Sequence, residues 1–316
     1  MASILITGVH GFVGSNLVEA LKDSYDIYGL DIVAPRKDGV IHTFSWDDLG
    51  SGVIPNVDAV IHLAGKAHDT KNKSTADVYF QINTELTKHI FDYFRTSAAS
   101  RFIFFSSVKA AVDKVHGKIL TEDVATSPVG PYGESKVRAE EYILESLSAN
   151  PMPERSIVVL RPCMIHGPGN KGNLNLLYSF VRKGLPWPLA AFDNLRSFTS
   201  IGNLTFIIKK LLLGNIESGI YNMADDESLS TNELIDIMCS AIGKKVVKWK
   251  IPQAFIRSCA RIGDTLHLPL NSFRLQKLTE NYVVSNAKIK KALGIDSMPV
   301  RAADGLTSTI RSFLHG

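Results

Sequence analysis

The chain has little of what would place it in a specialised class. Its three cysteines, Cys163, Cys239 and Cys259, are odd in number, far apart and in no CxxC spacing. They give neither a disulfide framework nor a zinc site and point to a reducing compartment. No stretch reaches the roughly 18 apolar residues that span a bilayer, and there is no repeat or low-complexity tract. Charge of one sign is not in excess: 35 Lys and Arg against 31 Asp and Glu leave +4 over 316 residues, too little to mark a nucleic-acid surface. The densest basic run, Lys244, Lys245, Lys248 and Lys250 interleaved with Val246, Val247 and Trp249, reads as an amphipathic edge strand whose lysines face water and discourage edge pairing. It is not read as a membrane surface. The start of the chain has no basic segment followed by a long apolar one, so residues 4–7 read as a first strand and the cytoplasm is the expected location. No HExxH or similar histidine spacing occurs, and no metal is expected.

What is present is a regular alternation. With 45% hydrophobic and 21% charged residues the composition is that of a globular protein. Short apolar runs at residues 4–6, 27–30, 59–61, 102–105 and 157–160 alternate with helical-period stretches at 15–21, 78–94 and 134–147. Continuous apolar strands separated by helices predict an α/β fold with a doubly wound parallel sheet covered on both faces. After Arg161 the pattern turns to loops rich in Gly, Pro and Asn. Later pieces read as a helix at 174–183, a helix at 204–213, a strand at 220–223, and a capping box, Ser230 to Glu233, that opens another helix. The expected division is a dinucleotide-binding domain over 1–164 with returns at about 197–245, and a smaller, interleaved substrate domain over 165–196 and 246–316.

Gly8-Val-His-Gly11-Phe12-Val13-Gly14 follows the first strand and opens a helix. Glycines there let the backbone approach a pyrophosphate, whose charge sits on free N–H groups at the helix N-terminus. No Gly-Lys-Ser/Thr follows, which argues against a nucleoside-triphosphate loop. Asp31 ends the next strand about 20 residues on, where a carboxylate accepts both ribose hydroxyls of NAD. Arg36 leaves NADP open as the lesser alternative, since a guanidinium can neutralise a 2′-phosphate. Tyr132 and Lys136 stand at i and i+4, on one face of a helix, after a strand ending in Ser106-Ser107.

Gly8-x-x-Gly11-Phe12-x-Gly14, His62-Leu-Ala64-Gly65, Ser106-Ser107, Tyr132-x-x-x-Lys136 and Arg161-Pro162 occur in that order, and the chain resembles the extended short-chain dehydrogenase/reductase family, whose fold is of the Rossmann type. Gly167-Pro-Gly-Asn-Lys-Gly-Asn173-Leu174, Arg196-Ser-Phe and Gly219-Ile-Tyr-Asn-Met-Ala-Asp225 are similar to its nucleotide-sugar epimerase, dehydratase and 4-ketoreductase branch. The match covers nearly the whole chain. The resemblance implies that Tyr132 is the general base or acid on a sugar hydroxyl, that Lys136 lowers its pKa and binds the nicotinamide ribose, and that Ser107 holds the same hydroxyl. It implies that Ala64 and Gly65 line the NAD, with Pro162 and Cys163 beside the nicotinamide amide, Cys163 as a packed wall residue. It further implies that Asn173 and Leu174 contact the nucleotide of a UDP-sugar and that Arg196 and Arg274 clamp its diphosphate. A homodimer through the helices carrying Asn83 to Phe94 and Tyr132 to Leu147 is expected on the same ground.

The leading expectation is an NAD-dependent 4-epimerase of a UDP-hexose or UDP-N-acetylhexosamine. A 4-ketoreductase of a 4-keto-6-deoxy sugar nucleotide would use the same triad, and a non-catalytic dinucleotide-binding regulator is a third reading. A 4,6-dehydratase is disfavoured because Val108 and Lys109 stand where an Asp-Glu pair is usual. Lys109 either reaches substrate or faces solvent, Trp46 either stacks on the adenine or is core, and His166 replaces a frequent Tyr. His62 is read as a strand residue packed against the sheet.

Overall fold

A computed structural model describes all residues except 68–74, 171–172, 267–270 and 315–316. The chain opens with β1 (Ala2–Thr7), α1 (Phe12–Leu21), β2 (Tyr25–Leu30), β3 (His42–Phe44) and β4 (Ala59–His62). A long helical segment follows, from α2 (Ala76–Tyr79) through a π-helical stretch, Phe80–Glu85, into α3 (Leu86–Thr96). Then come β5 (Arg101–Phe105), α4 (Val108–Ala111), α5 (Pro131–Ala149) and β6 (Ser156–Pro162). The rest is β7 (Met164–His166), α6 (Asn173–Arg182), β8 (Phe198–Ser200), α7 (Ile201–Leu213), β9 (Gly219–Met223) and five helices, α8 (Thr231–Ile242), α9 (Gln253–Leu266), α10 (Ser272–Thr279), α11 (Ala287–Leu293) and α12 (Ala302–Ser312).

Seven strands form one parallel sheet in the order β3-β2-β1-β4-β5-β6-β9, and β7 pairs with β8 in a separate parallel pair. The strand alternation divides the apolar residues between two layers. Ile4, Ile6, Ile103, Phe105, Val158 and Leu160 pack on one face with α1 and α7. Leu5, Phe102, Phe104, Ile157 and Val159 pack on the other with α3 and α5. Strands buried on both faces are what the continuous apolar runs require. The strand order reverses between β1 and β4, and the crevice outside their carboxyl ends is where open α/β sheets bind ligands.

A second core gathers Leu174, Tyr178, Val181, Trp187, Phe198, Leu234, Ile235, Met238, Leu306 and Ile310. The α8 helix, which the sequence groups with the sheet, buries its apolar face there, whereas Ile289 of α11 packs with the sheet. Ser230 and Glu233 do form the capping box that opens α8. The basic run at 244–250 is joined to its neighbours by isolated bridges, Lys248 with Trp187 and Lys250 with Leu189.

Candidate active site

The glycine turn is dictated by space. Gly8 has φ +69°, and a Cβ at Gly14 would stand 2.3 Å from the Gly8 carbonyl oxygen, so no side chain fits where the turn closes on α1. No side chain caps the α1 N-terminus and no acidic residue lies in its first turn, which leaves its dipole and N–H groups facing the crevice. Phe12 and Val13 are half-buried just inside that turn. Asp31 follows β2 and accepts the His10 N–H at 3.0 Å and the Ile32 N–H at 2.7 Å, which pins its carboxylate against the turn. Lys37 reaches Ser15 Oγ at 2.7 Å.

After β4 the backbone is fixed from below. The Thr7 hydroxyl accepts the Leu63 and Ala64 N–H groups at 3.2 and 3.0 Å and lies 2.6 Å from His62 Nδ1. His62 Nε2 meets Thr87 Oγ1 at 2.9 Å, and Thr87 donates to the Asn83 carbonyl at 2.7 Å. Burial holds His62 well below its ordinary pKa, helped by the Lys136 charge, so the ring is neutral. With Thr87 donating elsewhere, the ring proton belongs on Nε2 and the Thr7 hydroxyl donates to Nδ1. Asn83, turned inward by the π-helical stretch, accepts the Lys66 N–H at 2.7 Å and donates to Ser135 Oγ at 2.9 Å. It thereby ties the loop carrying Gly65 to α5. A polar residue in the apolar stripe of 78–94 was the only sequence signal for it.

Ser107 caps α4, accepting the Lys109 N–H at 3.2 Å. The half-buried Tyr132 phenol lies near enough to that hydroxyl to feel it. Burial pushes that phenol above its ordinary value, Ser107 draws it down and Tyr79 adds to the rise. Lys136 lies one turn along α5, as the spacing requires, but its Nζ donates to the Phe105 carbonyl at 2.8 Å and lies 4.9 Å from the Phe104 ring centroid. Burial lowers its pKa to about 8, with Glu140 opposing. A Cβ on Gly65 would come within 3.0 Å of both Lys136 Nζ and Asn83 Oδ1. The two halves of the crevice therefore meet at the lysine.

Beneath this face runs a buried ionic network that the sequence did not announce. Arg161 donates to Glu140 through Nε at 2.9 Å and through Nη2, and Glu140 also accepts from Ser106. All three are buried. Pro162 and Cys163 are buried at the end of β6, and burial pushes the Cys163 thiol up, which suits a wall residue and not a nucleophile.

The residues expected at the nucleotide end are less closely gathered. Arg196 is half-buried, donates to the Lys277 carbonyl at 2.6 Å and keeps its charge although burial lowers its pKa. Leu174 is buried in the second core, and Arg274 lies exposed in the first turn of α10. Asn173 begins α6, and its side chain lies outside the described residues. Lys109 does not simply face solvent: its Nζ bonds the Asp113 carbonyl at 2.7 Å and lies 4.2 Å from the Tyr282 ring centroid, while Lys277 shares Asp113 at 2.9 Å. Trp46 packs against the α3–α5 core layer. His166 is fully buried, with Nδ1 2.9 Å from Thr309 Oγ1, so it joins the two cores. Among the described residues no cluster of three or more metal-ligating side chains occurs, and no helix is long and apolar enough to cross a membrane.

Residues 4–224 match the model of the NAD dependent epimerase/dehydratase family. The chain is 30% identical to a UDP-glucose 4-epimerase of Vibrio cholerae over 99% of this chain and 96% of the relative. It is 27% identical to an N-acetyl-alpha-D-glucosaminyl-diphospho-ditrans,octacis-undecaprenol 4-epimerase of Escherichia coli O157:H7, over 92% and 85%. The fold is that of the UDP-glucuronic acid 4-epimerase from Bacillus cereus solved with NAD, with TM-score 0.75, 20% identity and 99% of both chains covered. Bordetella bronchiseptica WbmG, solved with NAD and UDP, superposes with TM-score 0.71 at 18% identity, over 99% of this chain and 94% of that one.

Proposed function

This chain belongs to the NAD dependent epimerase/dehydratase family, and we propose that it is an NAD-dependent 4-epimerase of a nucleotide sugar, a UDP-hexose or UDP-N-acetylhexosamine, working through a transient 4-keto sugar. The observation that carries this reading is the gathering of the Tyr132 phenol, the nearby Ser107 hydroxyl and the Lys136 ammonium, which donates to the Phe105 carbonyl at 2.8 Å, at the carboxyl edge of the same sheet that carries the glycine turn. The residues fit a dinucleotide: a Cβ at Gly14 would stand 2.3 Å from the Gly8 carbonyl oxygen, the uncapped α1 N-terminus would receive the pyrophosphate, and the Asp31 carboxylate would accept the ribose hydroxyls. Ala64, Gly65, Pro162 and Cys163 would wall the nicotinamide end.

NAD, when bound, supplies the reversible hydride exchange at the sugar C4 and, in its oxidised form, a positive ring beside the phenol. Tyr132 takes the C4 hydroxyl proton as C4 becomes a carbonyl and returns one to the same oxygen as the carbonyl is reduced. Ser107 holds that oxygen. Lys136, fixed by the Phe105 carbonyl, orients the nicotinamide ribose and adds positive charge that favours phenolate. Arg196 and Arg274 receive the diphosphate, for which a guanidinium is the matching donor, and Asn173 and Leu174 lie along the nucleotide. The two proteins compared above by sequence alone bear the names of 4-epimerases, which favours epimerisation over ketoreduction. The cytoplasm, suited to three unpaired cysteines, and a homodimer through α3 and α5 complete the reading.

The test is a product assay on the purified protein with UDP-hexoses, UDP-N-acetylhexosamines and a 4-keto-6-deoxy sugar nucleotide. Interconversion of C4 epimers without added reduced cofactor is the expected result. One-way oxidation of NADH or NADPH by the keto sugar, with no epimer formed, would replace it with the ketoreductase, and binding of NAD without turnover of any sugar would leave the regulator.

A further inference from the structure

Ser107 is held on very little helix. It caps α4, which is 4 residues long, far below the roughly 12 residues at which a helix is marginal on its own. The hydroxyl is therefore no better placed than the contacts that hold α4 from outside. Lys109 is the middle of those contacts. Its N–H donates to Ser107 Oγ at 3.2 Å. Its carbonyl lies against the start of α5, where a Cβ at Gly133 would stand 2.5 Å from the carbonyl oxygen. The backbone of one residue thus touches the Ser107 hydroxyl on one side and the neighbour of Tyr132 on the other.

The side chain of Lys109 is tied to the other end of the molecule. Its ammonium donates to the Asp113 carbonyl at 2.7 Å and to the Asp113 carboxylate at 3.2 Å, and lies over the Tyr282 ring. The same carboxylate accepts Lys277 of α10 at 2.9 and 3.2 Å, and α10 buries Leu275 in the second core. Tyr282 holds the far end of α4, its hydroxyl 2.7 Å from the Val112 carbonyl and 3.1 Å from that of Val108. A fully exposed ion pair adds little. Here all three charged residues are half-buried, and Asp113 joins two ammonium groups that would repel each other without it. Its carboxylate is the ionic link between the turn after Ser107 and the second core.

We propose that Asp113 is a positioning residue: by clamping Lys109 to Lys277 it sets the Ser107 hydroxyl against the Tyr132 phenol, so that the second core completes the arrangement that works on the sugar hydroxyl. The inference rests on the reaction proposed above. Asp113 acts through Lys109, and its loss misplaces the serine without emptying the cofactor or nucleotide sites.

Steady-state kinetics on the full chain decides the matter. In Asp113→Asn, kcat for the sugar nucleotide epimerised by the wild type should fall by about 10- to 100-fold, the cost of a small misplacement, while KM and the Kd for NAD stay within about threefold. Asp113→Glu, which keeps the carboxylate, should retain most of the turnover. Lys277→Met cuts the same tie from the other side, should lower kcat in the same way, and serves if Asp113→Asn does not fold. The double variant should be no slower than Asp113→Asn alone. Hydrogen exchange of the amides at 108–112 should be at least about tenfold faster in Asp113→Asn, with β5 and β6 unchanged. An unchanged kcat, a rise in KM alone, losses that add in the double variant, or equal exchange would overturn the proposal. A wild type that epimerises no sugar nucleotide would fell the reaction proposed above and this role with it, whereas an active wild type matched by Asp113→Asn would fell this role only.

Discussion

The two halves of the molecule handle polarity in opposite ways. Under the sheet edge, polar groups go inside: Arg161, Glu140 and Ser106 form a buried network, and Thr7, His62 and Thr87 form another. Around α9, large apolar groups stand outside while Ala260 and Gly263 are packed within. Each inversion costs folding free energy that a plain core and a plain surface would not, because buried polar groups must be fully paired and exposed apolar ones gain nothing from folding. The first fixes a crevice in which a phenol, a serine hydroxyl and a lysine are held in register. The second leaves large apolar side chains exposed along α9.

The comparison is sharpest where a network in the first half is broken. Glu140→Ala leaves the Arg161 guanidinium buried without its carboxylate, and stability should fall by about 3–5 kcal/mol, read by chemical denaturation. A loss below about 1 kcal/mol would mean that the network adds little to the fold, and the contrast between the halves would weaken.

Lys136 gives the next effect. Its pKa in the folded chain is lowered to about 8, so the unfolded chain binds more protons between that value and the ordinary lysine value. Charging Lys136 therefore works against the fold; this cost is whole below pH 8 and disappears as pH rises through the window, so its contribution to stability grows with pH. The proposed mechanism ties the kinetics to the same pair: it requires a deprotonated Tyr132 with a protonated Lys136, the minor form of the singly protonated pair, and that state fills as the first proton leaves. kcat/KM should climb up to about pH 8 and then level, and Lys136→Met should remove the break near 8.

In the other half the comparable change is local and small. Ser230→Ala removes the hydroxyl that accepts the Glu233 N–H at 3.1 Å, and should cost about 1 kcal/mol with turnover unchanged. A loss as large as that of Glu140→Ala would erase the distinction between the halves.

What was legible in the sequence follows the same division. The glycine turn, Asp31, the Tyr132–Lys136 spacing and the Ser230 cap were visible because each is a local rule, a φ, a helical turn or a cap, written within a few residues. The strands were visible because burial on both faces leaves continuous apolar runs. Asn83 and Glu140 were not, since each acquires its meaning from partners far along the chain, at Lys66 and Ser135 for one and at Ser106 and Arg161 for the other. The placement of α8 in the second core was hidden for the same reason. Lys136 was recognised, but its hold on the Phe105 carbonyl depends on the fold, and so does the burial that raises the Tyr132 pKa. The α9 helix was not read, although its apolar residues recur at helical period; what the sequence could not tell is that Phe255, Ile262 and Leu266 stay outside while Ala260 and Gly263 are packed within.

The most direct measurement pairs two numbers from one variant, Tyr132→Phe: its turnover of the UDP-sugar epimerised by the wild type, and its Kd for NAD. The account expects turnover to fall by about 10²–10⁴ while NAD is bound as in the wild type. Turnover within a few fold of the wild type would show that another group moves the proton, and would contradict it.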